Sequence, residues 1–147
     1  MKKLLILLII PLLFFLSCQK KEQDINDIKE VLFMQEKYWN DGNIDGFMLG
    51  YWNSEKLEFS STSGTTYGWD NIKSKYKKNY PSNSSMGELR FQINTVKLNS
   101  DTTALVDGEW ELLKKTDHPK GTFVLTFRKF NQEWLIIKDY TTSEKQQ

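Results

Sequence analysis

Asp139 is the side chain here with the strongest claim to chemistry. It closes the segment Trp134-Leu135-Ile136-Ile137-Lys138-Asp139-Tyr140-Thr141. A carboxylate carried on a strand into an apolar site holds its proton more tightly and becomes a candidate general base. Counted along a strand, Asp139 shares parity with Leu135 and Ile137. If that side faces a cavity, Asp139 is a base; if it faces outward, it ends a strand and pairs with lysine or water. Asp107, Glu109 and Glu111 alternate with Val106, Gly108 and Trp110, which reads as an exposed charged face and not as a catalytic pair. The chain has one His and one Cys. His118, in Asp117-His118-Pro119, reads as a solvated loop residue. These counts exclude two-histidine motifs, a disulfide framework and a multi-cysteine metal site. No phosphate loop or dinucleotide fingerprint is present, so neither a cofactor nor a metal is expected.

Aromatic residues make up 14% of the chain. Trp39, Trp52, Trp69, Trp110 and Phe127 are expected to supply rings around a cavity, and Tyr38, Tyr67 and Tyr76 to add hydroxyl donors to an apolar wall. Gly108, inside a strand and two residues from Trp110, leaves room for a bend or for a ligand against the backbone.

The elements that must position these groups follow from periodicity. Ile25, Ile28, Val31, Leu32, Met34, Tyr38 and Trp39 share a helical face between Asp24, a candidate cap, and the stop at Gly42. Asn43 can cap a shorter helix with Ile44, Phe47, Met48 and Tyr51-Trp52 inward. A strand is expected at Leu57-Glu58-Phe59 and a polar turn over 60–66. A third helix, Trp69 to Asn79, buries Ile72 and Tyr76 and precedes a loop over 79–87. The period then changes to two. Leu89, Phe91 and Ile93 alternate, and Val96 and Leu98 continue on the opposite parity, the signature of a β-bulge. Strands follow over 104–112, 123–127 and 134–141, with a tight turn at Asn131-Gln132. Helices followed by hairpin-linked strands mean an α+β domain with a curved antiparallel sheet under N-terminal helices.

Residues 1–17 read as a secretory leader, with Lys2 and Lys3 before the apolar run Leu4 to Leu16. Phe15-Leu16-Ser17-Cys18 resembles the lipobox of bacterial lipoproteins, which implies cleavage before Cys18, acylation of Cys18 and attachment to a membrane of the cell envelope, at the outer membrane or cell surface. Residues 18–24 are then a tether, 25–143 the domain and 144–147 a tail. The whole chain of 147 residues carries a net charge of +1, and without Lys2 and Lys3 the balance is 18 basic to 19 acidic residues. That near-neutrality argues against nucleic acid as a partner.

The order of Tyr38-Trp39-Asn40-Asp41-Gly42-Asn43, Tyr67-Gly68-Trp69, Gly87-Glu88-Leu89, Asp107-Gly108-Glu109-Trp110, Gly121-Thr122-Phe123 and Glu133-Trp134-Leu135-Ile136-Ile137-Lys138-Asp139-Tyr140-Thr141 resembles the nuclear transport factor 2-like superfamily, in its SnoaL-like bacterial branch. The resemblance runs from about Asp24 to Ser143. It implies a cone-shaped α+β fold, usually dimeric, and no single function, because the fold hosts isomerases, cyclases, dehydratases, binding domains and assembly modules. The closing strand of that branch often ends in Asp-His; here it ends in Asp139-Tyr140, without the imidazole.

Three readings follow. The first is a lipid-anchored envelope protein whose cone pocket binds a small, mostly apolar molecule. The second is an isomerase, cyclase or dehydratase with Asp139 as base. The third is a dimeric assembly module. The last strands are apolar on both sides, so a second copy of the sheet is the expected cover for the side away from the helices. An enzyme should bury Asp139 beside a second polar group at the cavity. A binder should leave it at the rim or outside.

Overall fold

The structure, a computed structural model, describes residues 9–144, with side chains described from residue 18 onward. The side chains of the expected leader and residues 145–147 therefore lie outside the described residues. Helix α1 (Ile9–Asn40) is followed by α2 (Ile44–Phe47), a 3₁₀ turn (Met48–Gly50), β1 (Glu58–Ser61), β2 (Gly64–Tyr67), α3 (Trp69–Asn79), α4 (Asn83–Met86), β3 (Glu88–Leu98), β4 (Thr103–Leu113), β5 (Lys120–Phe130) and β6 (Glu133–Thr141). No helix among the described residues is long and apolar enough to cross a membrane.

Ile28, Leu32, Gln35 and Trp39 form the buried stripe of α1, at the spacing of one helical face. The helix stops at Gly42, whose φ of +72° suits a residue without Cβ. Asn43 then caps α2 by accepting from the Gly46 N–H at 2.8 Å. Asp24 is not a cap. It lies inside α1, nearly buried, and accepts from Lys129 Nζ at 2.6 Å and Trp134 Nε1 at 3.2 Å. Residues 18–24 are helical, and the last of them is bound to the sheet.

The six strands run in the order β2-β1-β6-β5-β4-β3. The sheet is mixed and not purely antiparallel as expected, because β1 pairs with β6 in parallel. The intervening chain crosses over the sheet as α3, α4 and the β3–β6 meander, and such a crossover permits parallel pairing. The polar stretch read as one turn contains β2, which closes a hairpin on β1. The expected loop over 79–87 contains α4, started by a reciprocal Ser82–Ser85 capping box. The Asn131-Gln132 turn has positive φ at both residues, the requirement of a two-residue hairpin.

Two bulges bend the sheet. One inserts Asn94 between Ile93 and Thr95, where the parity change placed it. The other inserts Ile137, since Thr126 pairs with Lys138 while Phe127 pairs with Ile136. The helices cover the concave side, packing on Ala104, Val106, Phe127, Trp134 and Ile136. At the free edge of β3, α1 supplies partners. The Asn40 amide donates to Leu89 O and accepts from Leu89 N–H, and Glu36 accepts from Phe91 N–H at 2.7 Å.

Candidate functional site

Between the helices and the bent sheet is an open cavity of about 260 Å³. Trp39 and Gln35 of α1, Phe47 of α2, Ile72 and Tyr76 of α3, and Tyr80 just after α3 form its roof. Leu89, Phe91, Trp110, Leu112, Phe123 and Leu125 form its floor. Its rings pack edge to face, with Phe47 5.2 Å from both Trp39 and Tyr76 between centroids. The exposed residues Ser63, Asn79 and Ser143 mark its mouth.

Asp139 lies on this wall, 6% exposed. The Ile137 bulge puts it there. The extra residue resets the alternation, so Asp139 joins Trp134 and Ile136 on the concave side and leaves Leu135 and Ile137 half-buried on the other. Its cross-strand neighbours are Phe59 on β1 and Leu125 on β5, both apolar. The 3₁₀ turn delivers Tyr51, which bridges to Ile136 of β6 in extended conformation. The Tyr51 hydroxyl donates to Asp139 Oδ2 at 2.7 Å. Asp139 Oδ1 is buried with no partner among the described residues.

The electrostatics follow from dryness. Burial pushes the Asp139 carboxyl up to about 7, and the Tyr51 hydrogen bond opposes part of that rise. Burial, then the neighbouring Asp139 charge, raises the Tyr51 and Tyr76 hydroxyls, so both stay neutral donors. Tyr80 is raised by burial and by the Asp117 charge. Among the described residues no cluster of His, Cys, Asp or Glu could hold a metal ion.

Of the eight aromatic residues expected around the cavity, Trp39, Tyr76 and Trp110 line it. The other five lie elsewhere. Tyr38 crosses the backbone of Gly46. Trp52 stacks on Phe130 at 5.2 Å. Tyr67 is exposed on the β2 edge. Trp69 donates its indole N–H to Met48 O at 3.0 Å. Phe127 is fully buried in the core. The space above Gly108 is filled by protein, because a Cβ there would run into Gln92 O and the Phe123 ring. His118 is exposed and 2.8 Å from Glu111 Oε2. Cys18 is exposed on α1. Tyr51 is the functional group that periodicity understated, since its spacing from Ile44, Phe47 and Met48 marks it only as inward-facing. Phe59 and Phe91 belong to the wall by register, which becomes visible only in the assembled sheet, and Tyr80 joins it just past the end of α3.

No family model matches the sequence, and no curated protein matches it. Solved structures do. The chain is 39% identical to a nuclear transport factor 2-like protein of unknown function from Shewanella oneidensis, with 81% of this chain and 98% of that one covered and a TM-score of 0.79. It also shares its fold with a domain of unknown function with a cystatin-like fold from Nostoc punctiforme (18% identity, 84% and 79% covered, TM-score 0.71). A third structure with this fold is a ketosteroid isomerase-like protein from Erwinia carotovora (14% identity, 81% and 95% covered, TM-score 0.67). The cone of helices over a bent sheet thus defines an α+β pocket protein. The chain belongs to the nuclear transport factor 2-like family.

Proposed function

We propose that this protein takes a small, mostly apolar molecule into its cone and transfers a proton on it, in a reaction of the isomerase, cyclase or dehydratase type. One observation carries the reading: a buried carboxylate with one oxygen held by Tyr51 and the other unpartnered, on the wall of an open cavity. An unpaired buried acceptor is costly unless a ligand or a proton meets it. A carboxyl near pH 7 is matched to proton transfer at neutral pH. Tyr51 orients the group, Oδ1 takes the proton, and the ring walls keep water out. Tyr76, neutral and beside Asp139, is the second donor available to charge developing on the ligand. The open volume speaks against a vestigial pocket.

The probe is 2-tetralone, a small ring system with a carbon acid beside its carbonyl. Wild-type protein in deuterium oxide should accelerate exchange at that carbon, and Asp139→Asn should return it to background. Exchange unchanged by Asp139→Asn would remove that residue from the mechanism. Saturable binding of the ketone without exchange would favour the second reading, a binding protein without turnover.

The lipid anchor is part of the same proposal, supported by the Phe15-Leu16-Ser17-Cys18 pattern and by the exposure of Cys18. Cys18→Ser should release the protein from membranes; continued attachment would reject it. A homodimer through the convex side of the sheet is supported by exposed Leu105, Val124 and Tyr140, with Val124 directly opposite Tyr140. Light scattering that finds only monomer at high micromolar concentration would reject that.

A further inference from the structure

The cavity has a second pole. Lys75, half-buried on α3, lies on its wall, with Nζ 3.3 Å from Thr66 Oγ1 and 5.2 Å from the centroid of the Phe59 ring. Its neighbours along the helix behave differently. Lys73 and Lys77 both pair with Asp45 on another side of α3. Lys75, two residues from each, is turned about 200° around the helix from them. It has no carboxylate within ion-pair distance among the described residues. Asp139, on the same cavity wall, is held by Tyr51 instead.

Neutral hydrogen-bonding groups share its part of the cavity wall. Ser61 and Ser63, whose hydroxyls are 2.8 Å apart, line the same wall, and so does Asn79, one turn along α3. A cation without a counter-ion, on a cavity wall that also carries hydroxyl and amide groups at the opening of a ring-lined hollow, is a recognition site for an anionic group on an apolar body.

We propose that the cavity's ligand is a ring-bearing organic anion, its acid group held at the mouth by Lys75 and its far end directed to Asp139. The inference rests on the reading of the cavity as a small-molecule site and names the class of molecule it takes. The two poles orient such a ligand. Its anion cannot lie against ionised Asp139, so its uncharged, proton-bearing end is the one presented to that carboxylate.

The test uses 2-naphthoate and its neutral isostere 2-naphthamide, titrated calorimetrically at pH 8 into the full chain. Wild-type protein should bind the acid at least tenfold more tightly than the amide, and added salt should erode the difference. Lys75→Gln should weaken the acid about tenfold and leave the amide within twofold. Lys75→Arg should restore the acid. Equal affinity for both probes, or an equal loss of both in Lys75→Gln, overturns the anion site and leaves the apolar cavity standing. Failure of either probe to bind any variant overturns both. Amide binding by Lys75→Gln is itself the control that the variant folds.

Discussion

Tyr51 holds one oxygen of Asp139 at 2.7 Å, and the other oxygen is buried with no partner among the described residues. The pair joins the end of the helical layer to the last strand of the sheet, 88 residues later in the chain.

Removing the Asp139 charge should stabilise the protein in a pH-dependent way. The carboxyl rises from an ordinary 3.8 to about 7 in the folded state. The folded state then binds more protons than the unfolded one between those values, so stability is lost as pH rises through that window. The loss is about 1.4 kcal/mol per pH unit, reaches on the order of 4 kcal/mol at pH 7, and levels off above it. Asp139→Asn should flatten the profile and be the more stable form at pH 8, as read from urea denaturation at pH 4, 6 and 8. Parallel profiles would mean that the carboxylate is solvated in solution.

Tyr51→Phe should raise the Asp139 titration midpoint further, because it deletes the donor that favours the ionised form. A carbon-detected NMR titration of the Asp139 carboxyl measures this. At pH 8 the variant should also lose about 1–3 kcal/mol of stability, the cost of stranding a charged acceptor. A midpoint that moves down would contradict the geometry.

Asp24 should behave with the opposite sign. Burial alone would raise it, but hydrogen bonds from Lys129 and Trp134 and the Lys129 charge together outweigh that and hold the carboxyl below its usual range. Its stabilisation is present above the unfolded value and is lost as pH falls through the folded one. Asp24→Ala strands a nearly buried ammonium and should cost roughly 3–5 kcal/mol. Pairing it with Lys129→Met should recover part of the loss. Thermal melts of the three variants at pH 7 decide this, and a loss under about 0.5 kcal/mol for Asp24→Ala would show that the contact is loose in solution.

Gly108→Ala should cost about 1–3 kcal/mol, the range for overpacking. The added methyl meets the Gln92 carbonyl on one side and the Phe123 ring on the other, and only the ring can move. It moves into the cavity, so the variant should also bind 2-naphthamide more weakly. Unchanged stability and affinity would show slack at this position.

The layer order, the Asn94 bulge, the Asn43 cap and the Asn131-Gln132 turn were legible because each leaves a local mark: a period, a parity change or a turn residue. The Ile137 bulge leaves none. Ile136 and Ile137 are both apolar, so no polar residue marks where the alternation slips, and parity counting assigned Asp139 to the wrong companions. Half-buried tryptophans misled for a related reason. Trp52 stacks on Phe130 of β5 and Trp69 gives its indole N–H to Met48 O, and composition cannot distinguish either from lining a hollow. Tyr51 gains its role from a parallel bridge to Ile136, a contact across the fold that no short window contains.

Glu36 and Asn40 occupy backbone groups along the outer margin of β3, and the Asn94 kink interrupts that margin further along. A marginal strand left bare invites another chain to zip onto it and grow into a fibre. Here α1 has already filled those positions, so two copies cannot merge at that end into one continuous ribbon.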